Sequence, residues 1–222
     1  MKNAIQVLVV FMFSMFAHAQ DKRNPGHFTG VEVRGAFDVV LMKGTEGVTV
    51  HADKSTLQYI KTEVQNGILA IYVEGKHNIK GDVKIEVSYE TLSQVILNGS
   101  GDIVNEGKID TQNMNVQLIG SGDITLSIQA ENMKASLDGS GDIKLEGKAT
   151  NFKADVTGSG DLEAHKLQAQ NVKAKVIGSG DCSVYAAAAI QAFVEGSGDI
   201  TYYGNPPAEE TKVSGSGSID KK

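Results

Sequence analysis

The chain has 222 residues, a net charge of −6, a single cysteine and no tryptophan. Mild acidity argues against nucleic acid and anionic membrane surfaces as partners, and one cysteine excludes an intramolecular disulfide. Twenty-five glycines and three prolines suit an all-β chain with many tight turns.

Residues 1–19 read as a secretory signal. Lys2 supplies the positive start, and Ile5 to Phe16 form an apolar core broken only by Gln6 and Ser14. Ala17-His18-Ala19 is a small-x-small cleavage site. The apolar run is shorter than the roughly 20 residues a membrane-spanning helix needs. Export is therefore expected, to the periplasm or the outer cell surface, with the mature chain starting at Gln20. Loss of Lys2 moves the net charge from −6 to −7. No later segment is apolar enough to span a membrane, and no cysteine follows the cleavage site to carry a lipid anchor.

Residues 28–92 alternate as strands do. Val31, Val33, Phe37, Val39 and Leu41 are candidate inward positions. Asp53 to Gln58 can form one helical turn, with Ser55 as its cap. Ile60, Thr62 and Val64 lead into Asn66-Gly67, a strong hairpin signal, and Leu69, Ile71 and Val73 follow. Val83, Ile85 and Val87 alternate again. No linker separates this half from the rest of the chain, so residues 20–92 are expected to cap, without a break, a set of repeats in residues 93–222.

Those repeats are marked by Gly-Ser-Gly-Asp, which begins at Gly99, Gly120, Gly139, Gly158, Gly178 and Gly196, with Gly-Ser-Gly-Ser at Gly215. The intervals are 21, 19, 19, 20, 18 and 19 residues, a period that means stacked structural repeats. Just after the tetrapeptide come Ile103, Ile124, Ile143, Leu162, Cys182, Ile200 and Ile219. Two residues before it stand Leu97, Leu118, Leu137, Val156, Val176, Val194 and Val213; four before, Val95, Val116, Ala135, Ala154, Ala174, Ala192 and Thr211. The residues between are mostly polar. A period of two on both sides of the turn gives each repeat at least two short strands. Each strand buries its apolar side only by stacking on its equivalents. The fold class read from this pattern is an all-β parallel β-helix, a solenoid of about seven rungs with an N-terminal β cap, on the order of 30 Å long at about 4.8 Å per rung.

Two glycines flanking a serine permit positive φ and close approach between rungs. Asn113, Asn132, Asn151 and Asn171 recur seven residues before the glycine and read as an internal asparagine ladder serving turn backbone groups. At the C-terminal end Glu209 and Thr211 interrupt the inward files, and Asn205-Pro206-Pro207 and Lys221-Lys222 punctuate the last rung. This reads as a terminal rung guarded against edge pairing. The competing reading is an end that docks onto another copy.

Three features are candidates for chemistry or binding. Asp102, Asp123, Asp142, Asp161, Asp181 and Asp199 should stand in one file. Two carboxylates one rung apart repel by about 1 kcal/mol in water. Either backbone amides offset this, making the aspartates turn caps, or cations do, making the file a row of Ca²⁺ sites. The calcium-binding glycine-aspartate repeats known elsewhere have a period of about nine residues. One carboxylate per window here is short of the roughly six to eight oxygens that calcium prefers. Tyr185, Phe193, Tyr202 and Tyr203 are the notable aromatic group of the rungs. They either pack against the cap or form a sugar-stacking or protein-docking patch. Cys182, in a file of Ile and Leu, reads as a buried small hydrophobe. Gly147-Lys148-Ala149 lacks the spacing and hydroxyl of a phosphate loop, and His27, His51, His77 and His165 have no metal-ligand spacing. His165 is expected to face solvent. No cofactor, metal or catalytic residue is expected. The rungs differ by at most three residues in length, which leaves no long loops to build a catalytic groove.

The segment Phe28-Thr-Gly-Val-Glu-Val-Arg-Gly-Ala-Phe-Asp-Val-Val-Leu followed by serial Gly-Ser-Gly-Asp rungs resembles the putative auto-transporter adhesin, head GIN domain family of Bacteroidota-type bacteria, over roughly residues 28–219. The resemblance implies a right-handed β-helix and a surface-binding role, and brings no catalytic residues with it. The expected function is non-enzymatic, adhesin-like binding of a glycan or protein at the cell envelope. A periplasmic scaffold that self-associates through solenoid ends or faces is the alternative.

Overall fold

The computed structural model describes residues 19–75, 79 and 82–222. The expected signal segment up to residue 18, and His77, lie outside the described residues. In chain order the N-terminal elements are β1 (Ala19–Arg23), β2 (Gly30–Gly35), β3 (Asp38–Lys43), β4 (Gly47–Ala52), a single helical turn α1 (Lys54–Leu57), β5 (Ile60–Gln65), β6 (Ile68–Val73) and β7 (Lys84–Tyr89). The repeats supply β8 (Gln94–Gly99), β9 (Asp102–Glu106), β10 (Ile109–Gly120), β11 (Asp123–Gly139), β12 (Asp142–Gly158), β13 (Leu162–Gly178) and β14 (Cys182–Gly196). The last rungs are β15 (Ile200–Tyr203), β16 (Ala208–Gly215) and β17 (Ile219–Lys221). The product is a β-solenoid of about seven turns, about 19 residues apart.

Successive rungs pair in parallel and in register. Ile124 lies on Ile143, Leu137 on Val156 and Gly139 on Gly158, and the same columns run through β13 and β14. Each inward side chain therefore stacks on an equivalent one, and the files merge into one continuous apolar core. At roughly 25 cal/mol per Å² of apolar surface, this burial is the main term that favours the stack.

A rung has three sides, one more than the alternation about the glycines revealed. Alternation holds from Ile124 to Ala130, breaks where Glu131 and Asn132 both point outward, and resumes at Met133. The additional side carries the buried columns Ile109, Ile128, Leu167 and Ala130, Ala149, Ala169, Ala186. Gly147 stands in the first of these columns, at φ +121, with the carbonyl of Ile128 where a Cβ would go. Gly147-Lys148-Ala149 is thus an ordinary part of a rung.

The N-terminal half contributes rungs of its own. Gly35-Ala36-Phe37-Asp38 occupies the tetrapeptide's place: Gly35 registers with Gly99, and Val39 with Ile103. On the other side of this rung lie β6 and β7, parallel to β2 and β3. The rung made by residues 30–43 is therefore sandwiched between two made later in the chain. Beyond it the direction reverses. β5 runs antiparallel to β6 across the Asn66-Gly67 turn, where both residues have positive φ, β4 runs antiparallel to β7, and β1 to β4. Arg23 pins β1 by donating to the carbonyls of Ile60 (2.6 Å) and Leu57 (3.0 Å). Asp53, not Ser55, stands at the helix cap position, and its side chain makes no capping bond.

At each glycine corner the first glycine's carbonyl accepts two amides from the next rung. The Gly120 carbonyl takes Ser140 N–H at 2.9 Å and Gly141 N–H at 3.2 Å, and the bond pattern repeats to the end of the chain. A Cβ on Gly141 would lie 1.9 Å from the Gly122 carbonyl oxygen. Gly141→Ala is expected to cost more than about 2 kcal/mol in urea unfolding. Gly107→Ala, at φ +75 with nothing near its Cβ direction, is expected to cost only about 1 kcal/mol.

Candidate functional site

The aspartate file forms as expected, and its contacts are with backbone. Asp123 Oδ1 accepts the amide of Asp142 at 3.1 Å, Asp142 that of Asp161 at 3.2 Å, and Asp161 that of Asp181 at 2.8 Å. Asp181 accepts from Asp199 at 2.9 Å, and Asp199 from Ser218 at 2.7 Å. Asp102 stands outside this scheme, because the Asp123 amide donates to the Gly101 carbonyl instead. Each carboxylate from Asp123 onward thus bonds the rung above through one oxygen, and these charge-assisted bonds oppose the repulsion between neighbours. Among the described residues, no group of three or more His, Cys, Asp or Glu is placed to hold a metal ion.

The asparagine ladder is present but external. Asn132 Nδ2 donates to Asn113 Oδ1 at 3.0 Å, Asn151 to Asn132 at 2.9 Å and Asn171 to Asn151 at 3.0 Å. All four residues are exposed, so the expectation of an internal ladder serving turn backbone is corrected. A corner where two successive residues point outward leaves them no place in the core, and amide-to-amide stacking satisfies them with one another. Beside the ladder runs a groove of about 570 Å³, with Lys153 and Lys173 on its wall. Ala189 and Ala208 take the asparagine position in the last two rungs, and the ladder stops at Asn171.

The four aromatic residues do not form one group. Tyr202 is buried at 5 % exposure, where its hydroxyl donates to Glu209 at 3.1 Å. It is thus withdrawn from any surface patch. Phe193 is half-buried on the face after the asparagine corner, with the Lys173 ammonium 5.9 Å from its ring centre. Tyr185 and Tyr203 are register partners on adjacent rungs of another face. There they are joined by a residue expected to face solvent: His165, whose ring centre lies 5.5 Å from that of Tyr203. His165 is half-buried, and its Nδ1 lies 3.3 Å from the Ser183 hydroxyl. It enters the cluster because it lies seven residues after the first glycine of its rung, as Tyr185 and Tyr203 do in theirs, with Ala164, Val184 and Tyr202 in register just before them. The register slips between Ala164 and Gln168, where His165 and Lys166 both point outward.

The column of His165, Tyr185 and Tyr203 therefore stands two residues along from the column of Glu163, Ser183 and Thr201, and Tyr203 shares a hollow with that column and with Asp161, Asp181 and Asp199. Flat apolar faces beside hydroxyl and carboxylate groups are suited to stacking a pyranose ring or seating a peptide side chain.

Cys182 is buried at 1 % exposure, and burial first, then Asp181, Asp155 and Asp161, pushes its thiol up to about 12. A thiol in that state is not a nucleophile at neutral pH. Iodoacetamide is expected to leave the native chain unlabelled and to modify Cys182 in denaturant. In the aspartate file, Asp161→Asn keeps an acceptor and removes a charge, so stability should change by less than about 0.5 kcal/mol. Asp161→Ala should lose about 1–2 kcal/mol in urea unfolding.

The family model described as putative auto-transporter adhesin, head GIN domain matches residues 27–206. A structure described as a putative adhesin from Bacteroides fragilis superposes with a TM-score of 0.86 at 23 % identity, covering 92 % of this chain and 96 % of that one. A putative lipid binding protein from Parabacteroides distasonis gives 0.75 at 25 % identity, with 92 % and 96 % covered. A putative adhesin from Parabacteroides merdae gives 0.71 at 18 % identity, with 92 % and 95 % covered. Among curated protein sequences none matches this chain.

Proposed function

The chain belongs to the putative auto-transporter adhesin, head GIN domain family, and from that premise we propose that it is a non-enzymatic binding protein of the cell envelope. It is exported by its first 19 residues and engages a surface glycan or protein. The observation that carries the reading is the ring cluster of Tyr185, Tyr203 and His165, two tyrosines in register with an imidazole 5.5 Å from the second, half-buried and flanked by hydroxyl and carboxylate groups. Side chains held by a rigid strand ladder lose little freedom when they bind, which favours them as anchors.

The solenoid supports a binding role in a second way. Between its ends the backbone is bonded from rung to rung, the aspartates from Asp123 onward bond the amides above them and the asparagines one another, so the lateral faces are rigid displays of alternate side chains. Phe193 with Lys173 provides a smaller contact on a different face. No helix among the described residues is long and apolar enough to cross a membrane.

The test is a glycan and matrix-protein binding array on residues 20–222, run with Ca²⁺ and with EDTA, beside a Tyr185→Ala/Tyr203→Ala variant whose fold is checked by its melting curve. Selective binding is expected, unchanged in EDTA and weakened by about tenfold or more in the double variant. Binding that survives the double variant intact would remove the ring cluster from the site. Loss of binding in EDTA would transfer the role to the aspartate file, and silence with every probe would sink the adhesin reading.

A further inference from the structure

The two ends of the solenoid are finished differently. At the N-terminal end antiparallel strands close the stack, β4 over β7 and β5 over β6. At the C-terminal end β16 pairs along one edge with β14, and among the described residues no strand covers its other edge. All eight of its residues are exposed. Val213 continues the file that buries Val156, Val176 and Val194, yet stands 42 % exposed. An open edge of this length displays a row of backbone donors and acceptors, ready to template another strand.

The devices expected to guard this edge stand beside it. Pro206 and Pro207 precede the strand. The Lys221 ammonium is drawn across the end of the core to Glu209 Oε1 at 2.8 Å and Asn205 Oδ1 at 2.9 Å. Glu209 also accepts from Tyr202, so this inward carboxylate plugs the last layer of the core and leaves the backbone edge free. On the outward side, Glu210 lies in register with Gln191 and Lys212 with Phe193. Glu210 accepts from Gln191 through Oε2. Lys212 makes no ion pair among the described residues.

We propose that β16 is a self-association edge, which pairs antiparallel with β16 of a second copy about a two-fold axis through Thr211. In that register Glu210 stands opposite Lys212 of the second copy, and by symmetry Lys212 stands opposite Glu210, so the interface holds two opposite-charge pairs. Val213 comes opposite Glu209 and is covered. Centring the axis on Glu210 or on Lys212 would set like charges face to face, which disfavours those registers. The contact is isologous and closes at two copies, so it does not propagate into fibres. A short ladder with two exposed charge pairs makes a small interface, and the dissociation constant is expected at about 10–100 µM.

Sedimentation velocity on residues 20–222, from about 1 µM to 1 mM, reads the equilibrium. Lys212→Glu and Glu210→Lys are each expected to weaken association by about tenfold or more. An equimolar mixture of the two variants is expected to restore it, because every cross-strand pair is then opposite in sign. Thr211→Cys should give a covalent dimer on mild oxidation, since residues on the axis lie about 4.5–5.5 Å apart between Cα atoms, within disulfide reach. Cys182 is buried and does not compete. A chain that remains monomeric throughout, with no crosslink from folded Thr211→Cys, would overturn the proposal. So would a dimer indifferent to both charge variants, which must use another surface.

Discussion

The structure depends on one hydrogen-bonding arrangement, the carbonyl of the first glycine of each tetrapeptide from Gly99 to Gly196 accepting two amides from the rung above. Two N–H groups converge on one oxygen only if the backbones nearly touch, and at Gly139 and Gly141 the space for a Cβ is already filled by the carbonyls of Gly120 and Gly122. The glycines are thus required by contact as much as by torsion. Once these corners stack in register, the strand on each side has no freedom to slip, and the apolar files are aligned with them.

The polar ladders are best understood as accessories to that stack. At the glycine corner a short acceptor is needed to receive the next amide, and aspartate supplies it against the repulsion of a charged file. At the exposed corner opposite, a neutral amide that both donates and accepts can bond to copies of itself, and asparagine supplies that. Each residue type follows from whether its corner leaves a backbone donor over. With those groups satisfied from within, a half-buried aromatic or basic side chain on a lateral face is left available to outside partners.

Much of this was legible in the sequence, because a stacked repeat writes each column as a recurring letter. Leu97, Leu118 and Leu137 announce a file, and so do the aspartates. The third side was hidden because its column reads Ile109, Ile128, Gly147, Leu167, where a glycine breaks the pattern, and because its second column is alanine. The rung at Gly35-Ala36-Phe37-Asp38 was hidden by two substitutions in four residues and by the reversal of chain direction that follows it. The ring cluster was half legible. Tyr185 and Tyr203 stood out, but His165, although it too lies seven residues after its glycine, shares that column with Glu106, Ser127 and Glu146 and reads as a solvated position. Tyr202 stands in the buried column of Ala164 and Val184, which takes it from the surface group.

The sandwiched first rung bears on how the molecule comes to be folded. Rungs from β10 onward contact partners about one period away, so each can add as the chain lengthens, at a small cost in loop closure. The rung of residues 30–43 has no such option. Its upper neighbour is β8, 64 residues after it along the chain at Gly30 and Gln94, and its lower neighbours are β6 and β7. A chain emerging N-terminus first therefore cannot complete its own beginning until residue 106 or so has arrived. Until then this rung lacks one of its two neighbours. Pairing of this long range is slow to form, whereas the later rungs, with partners one period away, close cheaply.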